Sequence, residues 1–179
     1  LGCFTALTAI AVATTKIKLV PAVASASFRS PALLAKIISA IDHASDGRFI
    51  SGLGAGWQDK EYLAHGYEFP TLKVRLKQLD EVIQVVKAMS TSEEPRFDGK
   101  YFSVYEAYNN PRPVQKKIPL MLGGSGTGLL KIAAREADIL NIIPPTGNGR
   151  DFINDKPATL RFTMNVLKER IALLHKFLD

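Results

Sequence analysis

The stretch Arg48-Phe49-Ile50-Ser51-Gly52-Leu53-Gly54-Ala55-Gly56-Trp57 decides the fold. It reads as an apolar strand, Arg48 to Leu53, that runs straight into a glycine turn. Upstream of it, Asp46-Gly47 is a tight turn closing a helix that starts at Ser30-Pro31, a good start signal. Leu33, Leu34, Ile37, Ile38 and Ile41 recur along that helix at spacings of three and four, which makes one apolar face. The same grammar returns later. Pro119-Leu-Met-Leu-Gly123 is a short apolar strand that runs into Gly124-Ser125-Gly126-Thr127-Gly128, and a helix follows over about Leu129 to Glu136.

Working outward, Ile17 to Val20 reads as another strand, bounded by Pro21, and Asp138 to Ile143 as a further one. Ala6 to Thr14 reads as a buried helix. A polar, aromatic loop covers Gln58 to Pro70. A long helix then carries Leu72, Leu76, Leu79, Val82, Ile83, Val86 and Met89 on one side. Asp98-Gly99 between apolar residues is a hairpin signal. A Pro/Gly-rich loop is read over Pro144 to Gly149, and an amphipathic helix over Thr159 to Phe177. Short strands that are apolar on both faces, alternating with helices, call for parallel βαβ units. The glycine- and proline-rich turns all follow strands, and the turns that precede strands are plain. Ligands of α/β enzymes bind at the carboxyl ends of parallel strands, so this asymmetry suits an enzyme.

Composition supports one globular domain over 1–179. The chain is 46% hydrophobic and 22% charged, which excludes a disordered or fibrous class. One cysteine, Cys3, excludes an internal disulfide framework and fits a cytoplasmic setting. The net charge is +6, but the basic residues are scattered. The densest run, Lys73, Arg75 and Lys77, shares its helix with Asp80 and Glu81, so a solvated face explains it better than a nucleic-acid stripe. The apolar N-terminus lacks a basic residue before Lys16 and is too short to span a bilayer, which takes ~20 residues. No membrane and no nucleic acid is expected as a partner.

The glycine loops are not the commonest phosphate motifs. Trp57 and Leu129 stand where the dinucleotide fingerprint needs its third glycine, and no Gly-Lys-Ser/Thr follows. Their physics still favours a ligand. A helix beginning after Gly126 would aim its N–H groups at an anion, with the Ser125 and Thr127 hydroxyls beside it; the alternative is a plain tight turn. Gly54 to Gly56 serve either a ligand or close packing of the backbone. Trp57 is either a ring-stacking residue or a loop anchor. His43 and His175 read as solvated or structural positions, His65 either faces a substrate beside the glycine loop or is a solvated loop residue, and no His/Asp/Glu pair has metal-ligand spacing.

Several segments in order carry a family resemblance: Phe28-Arg29-Ser30-Pro31, Asp46-Gly47-Arg48-Phe49, Gly52 to Trp57 with Glu61-Tyr62 and Gly66-Tyr67, Phe97-Asp-Gly99-Lys-Tyr101, Pro111-Arg-Pro113-Val-Gln115, Pro119 to Gly124, and Ala133-Ala-Arg135-Glu-Ala137-Asp138. Together they resemble the luciferase-like monooxygenases, most of all the branch using the deazaflavin coenzyme F420. The resemblance implies a (β/α)₈ barrel, which typically needs ~250 residues. It therefore implies a partial barrel here, with Ile17–Val20, Arg48–Leu53, Pro119–Gly123 and Asp138–Ile143 as about strands three to six and the first two and last two units lacking.

It also implies an oxidoreductase using coenzyme F420, or alternatively FMN, for hydride transfer or oxygen activation on a small organic substrate. A non-catalytic flavin-binding remnant of the same fold is the alternative. By resemblance, Ala22–Val23 is the site of a non-proline cis peptide behind the ring. Gly54, Ala55, Gly56 and Trp57 pass along the ring, and Gly123, Gly124, Ser125, Gly126 and Thr127 hold the cofactor phosphate. Some deazaflavin-dependent sugar-phosphate dehydrogenases carry an acid where this chain has Trp57, so that role does not carry over. A partial barrel leaves strand edges unpaired, to be covered either by the lacking units or by another chain, and a homo-oligomer is expected.

Overall fold

The computed structural model describes residues 2–144, 160 and 162–178. In chain order the elements are α1 (Cys3–Ala13), β1 (Ala24–Ser25), a 3₁₀ turn (Ala26–Phe28), α2 (Pro31–Ala44), β2 (Ser51–Gly54), α3 (Asp59–Ala64), α4 (Leu72–Thr91), β3 (Arg96–Asp98), β4 (Ser103–Tyr105), β5 (Leu120–Gly123), α5 (Thr127–Glu136), β6 (Ile139–Asn141) and α6 (Met164–His175). One four-stranded sheet has the order β1-β2-β5-β6, and each of its three pairings is parallel. The architecture is α/β, four parallel βα units of a barrel that is not closed among the described residues. β3 and β4 form a separate antiparallel hairpin.

The first strand differs from the sequence expectation. The apolar run Ile17 to Val20 makes only an isolated parallel bridge, Leu19 to Phe49, and the ladder resumes at Ala24, paired with Leu53. Pro21 has no N–H to give to a ladder, and the chain turns through a cis peptide at Ala22–Val23 before it rejoins the sheet. α1 also differs. Only Phe4 and Ala11 are buried on it, and Val12 is 73% exposed, so it packs beside α2 through one narrow stripe. The loop expected over Gln58 to Pro70 contains α3. The described part of the last helix starts at Met164, and of the Pro144 to Gly149 loop all but Pro144 lies outside the described residues.

The core lies between the sheet and α2, α4 and α5. Leu53 and Leu122 point to it from the strands, and Leu34, Ile38, Leu79, Val82, Ile83 and Leu129 meet them from the helices. The plain turns at the strands' N-terminal ends are pinned by polar groups. Arg48 donates from its guanidinium to the carbonyls of Ala11, Thr14, Ile17 and Ser45, so one side chain ties the end of α1 to the turn after α2. Asp42, fully buried, accepts from the Gln115 backbone N–H at 2.9 Å and from its Nε2 at 2.7 Å. Glu81 on α4 accepts from the N–H groups of Lys100, Tyr101 and Phe102, which fixes the tip of the β3–β4 hairpin.

A charged network fastens α4 to α5. Glu136 accepts from Gln84, Lys87 and Arg135, and Arg135 also reaches Asp80. Burial of Glu136 would raise its pKa, but the hydrogen bonds from Lys87 and Arg135 outweigh that and hold it below 4.5. Asp138 behaves alike: burial opposes ionisation, while Lys117 and the Leu120 N–H hold the carboxyl below 3.8. A depressed carboxylate contributes stability that is present above its unfolded pKa and lost as the pH falls through the folded one. The stability gap between the wild type and Glu136→Gln should therefore be constant near neutrality and shrink below pH 4.5. The partners are largely exposed, so the gap is modest. Urea midpoints at neutral pH and at pH 3 check this, and a pH-independent gap would count against the network.

Candidate active site

The carboxyl ends of all four parallel strands open into one cavity of about 940 Å³. Ser25 ends β1, Gly54 ends β2, Gly123 ends β5 and Asn141 ends β6, and all four line it. Three of these ends are small or turn immediately, so the floor is backbone rather than side chain. Val23 fills the gap this leaves. A Cβ on Gly54 would lie 2.8 Å from Val23 Cγ2, and one on Gly123 would lie 2.7 Å and 2.9 Å from the two Val23 methyls. The two glycines are thus the recess in which Val23 is seated, with the Ala22–Val23 peptide cis beside it.

Gly56 has a different reason. Its φ is +76°, and a Cβ there would meet the Tyr62 hydroxyl at 1.9 Å and Ser25 Oγ at 2.8 Å. Those two hydroxyls share a hydrogen bond of 2.6 Å. Tyr62 is buried, and its ring lies 4.5 Å from Phe28 and 4.9 Å from Phe69. Tyr67 adds a ring 4.9 Å from Phe28 and donates to the Phe28 carbonyl. This aromatic wall fixes the loop from Gly54 to Trp57 against the end of β1. The sequence shows it only as a run of aromatic residues, because a contact between Ser25 and Tyr62 leaves no local signature.

The opposite wall is the turn from Gly123 into α5. Gly124, with φ +147°, donates its N–H to the Asn141 carbonyl at 3.0 Å. That N–H is therefore spent on the sheet, and Gly124 contributes shape instead. The N–H groups of Ser125, Gly126, Thr127, Gly128 and Leu129 have no acceptor among the described residues; the first intrahelical donor is Leu130, to the Gly126 carbonyl. A helix start with free N–H groups is a ready anion site. A Cβ on Gly126 would meet nothing within 4 Å, so the approach is open. The Ser125 residue is buried, while Thr127 is exposed at the rim.

All eleven residues singled out from the sequence, Ala22, Val23, Gly54, Ala55, Gly56, Trp57, Gly123, Gly124, Ser125, Gly126 and Thr127, line this one cavity. His65, read as either substrate-facing or a solvated loop residue, also borders it, with Nδ1 2.9 Å from the Glu61 carbonyl. His43 sits elsewhere, against the Arg112 carbonyl, and His175 closes α6 in solvent. Among the described residues no group of His, Cys, Asp or Glu could hold a metal ion, and no helix is long and apolar enough to cross a membrane.

The chain spans about half, or less, of the length of the curated relatives it matches. It is 30% identical over 149 residues to the F420-dependent glucose-6-phosphate dehydrogenase of Amycolatopsis mediterranei, covering 83% of this chain and 44% of that one. It is 33% identical over 139 residues to pyrimidine monooxygenase RutA of Pseudomonas syringae pv. syringae, covering 75% and 38%. Among solved structures it is similar to the coenzyme F420 dependent tetrahydromethanopterin reductase of Methanopyrus kandleri, with a TM-score of 0.70 and 26% identity over 79% of this chain and 44% of that one. Residues 2–158 match the family of luciferase-like monooxygenases, and with the parallel sheet and the cavity at its strand ends, the chain belongs to that family.

Proposed function

We propose that this chain carries the cofactor half of an oxidoreductase that uses coenzyme F420, with FMN as the alternative, on a small organic substrate. The single observation that carries the reading is the pairing of an anion site and a flat recess on one cavity: free N–H groups from Ser125 to Leu129 on one side, and Val23 seated over Gly54 and Gly123 on the other. Both cofactors join a planar ring to a phosphate, so the donor set fits them. When bound, the cofactor supplies hydride transfer or oxygen activation.

The chain's own residues do the rest. The α5 N-terminus would hold the phosphate through backbone donors and the positive end of the helix dipole. Val23 would support one face of the ring with a branched side chain that has few rotamers. Ala55, Gly56 and Trp57 would pass along the ring edge, kept in place by the Ser25–Tyr62 hydrogen bond. The aromatic wall of Phe28, Tyr62 and Tyr67 would keep water from the reacting face. Residues 1–179 would form one domain, a partial barrel within a longer functional unit, acting on a small molecule as a homo-oligomer.

The test is direct. The intact protein is titrated with coenzyme F420 and with FMN, following the fluorescence of each. Saturable binding of F420 with weaker binding of FMN supports the reading as stated, and the reverse order moves it to FMN. Binding of neither would remove it. Binding without turnover of any reduced cofactor would leave the non-catalytic alternative.

A further inference from the structure

A second cavity, of about 490 Å³, lies at the other end of the sheet and shares no lining residue with the first. It is lined by elements of this chain: α2 through Ile38, α4 through Ile83, Val86, Ser90 and Thr91, and the start of β2 and β5 through Ser51 and Leu120. The segment Gln115 to Ile118 forms its rim, and Lys87 and Glu136 stand at its edge. Its buried wall is aliphatic, through Ile38, Leu53, Ile83 and Leu120. Among the polar residues of the wall Ser51 stands apart: the residue is 4% exposed, and its Oγ has no hydrogen-bond partner.

A buried hydroxyl without a partner is rare in folded proteins and calls for an explanation. The side-chain donors around the cavity are turned to other groups. Gln115 is taken by Asp42 and Phe49, Ser90 by the Val86 carbonyl, and Lys87 by Glu136. A charged ligand is disfavoured because among the described residues no unpaired cation or anion is buried in the wall. Lys117 pairs with Asp138, and Lys116 is exposed. The volume falls within the range of small-molecule sites, ~300–1,000 Å³.

We propose that this cavity binds a small neutral molecule with an apolar body and one hydroxyl, of the phenol or short alcohol class, whose hydroxyl pairs with Ser51. The proposal is independent of the cofactor reading, since it uses the opposite end of the strands. It gives Ser51 a role that a strand residue facing aliphatic helices would not otherwise need: alanine there would fill the same space.

The experiment follows the isoleucine methyl signals of the intact protein during titration with 4-ethylphenol. A parallel titration uses 4-ethyltoluene, in which a methyl replaces the hydroxyl. Saturable shifts of Ile38, Ile83 and Ile118 are expected with the phenol. Ser51→Ala should weaken the phenol about five-fold, the loss of one neutral hydrogen bond, and leave 4-ethyltoluene unchanged. The variant should be at least as stable as the wild type without ligand, because no internal hydrogen bond is lost. Ser90→Trp, which fills the cavity from α4, should abolish both titrations. Absence of saturable shifts at these three isoleucines would overturn the proposal, as would an equal affinity of Ser51→Ala and wild type for the phenol.

Discussion

Gly52→Ala is expected to be severely destabilising. The new Cβ would lie 1.8 Å from the Pro21 carbonyl oxygen and 3.0 Å from its carbon, with Val20 Cγ2 at 3.1 Å. The obstacle is backbone, so no rotamer change relieves it. Either Pro21 or the β2 strand must move, and Leu19 and Ala24 on either side of that bend are held, Leu19 to Phe49 just before β2 and Ala24 to Leu53 within it. The loss of stability should reach or exceed the upper end of the ~1–3 kcal/mol usual for overpacking. Gly54→Ala is the internal control. Its Cβ would meet the Val23 side chain at 2.8 Å, while the nearest backbone atom, the Gly123 carbonyl oxygen, stands at an ordinary 3.7 Å, and Val23 can yield toward the cavity, so the cost should be smaller. Denaturant midpoints at unchanged slope measure both. A Gly52→Ala protein no less stable than Gly54→Ala would show that the backbone crossing is not held as described.

The same crossing marks where the sequence could and could not be read. Helices α2 and α4 were legible because their signals are local, whereas the six-residue α3 was read as loop. Ser30-Pro31 starts α2 where the structure starts it, and Asp46-Gly47, at φ 50° and 71°, ends it. The apolar spacing along α4 gives its buried face, Leu79, Val82 and Ile83. The first strand was not legible. Ile17 to Val20 has the composition of a strand, yet the ladder uses Ala24 and Ser25, whose side chains carry no strand signal. What places them is a neighbour, β2, more than twenty residues away in the chain.

Site residues divide in the same way. The glycines were visible because a glycine run after a strand has few other uses. Their reasons were not visible: Gly54 and Gly123 make room for Val23, Gly56 makes room for Tyr62, and Gly124 gives its N–H to Asn141 rather than to a ligand. Ser51 was invisible altogether. Within Ile50-Ser51-Gly52 it looks like any small strand residue, and only its burial without a partner sets it apart.

Gly126→Asp should separate the fold from the anion site, because the two respond in opposite directions. Gly126 is the N-cap of α5, with extended backbone at φ −71° and ψ 145°. Any residue can adopt that conformation, and a Cβ there meets nothing within 4 Å. Aspartate is a better N-cap than glycine by a few tenths of a kcal/mol, since its carboxylate accepts from the free N–H groups of the first turn. Thermal stability should therefore hold or rise slightly. Those N–H groups are the ones proposed to receive the cofactor phosphate. The carboxylate would occupy them and would also oppose a second negative charge. At about 4 Å and an effective dielectric near 20 that repulsion is worth ~4 kcal/mol. Binding of F420 or FMN should thus fall by about a hundred-fold or more. Gly126→Asn has the same shape and capping ability without the charge, so it should lose less. Fluorescence titration of the two variants beside the wild type reads the difference. Equal affinities in all three would place the phosphate elsewhere. A loss accompanied by a lowered melting temperature would mean that the substitution acts through the fold instead.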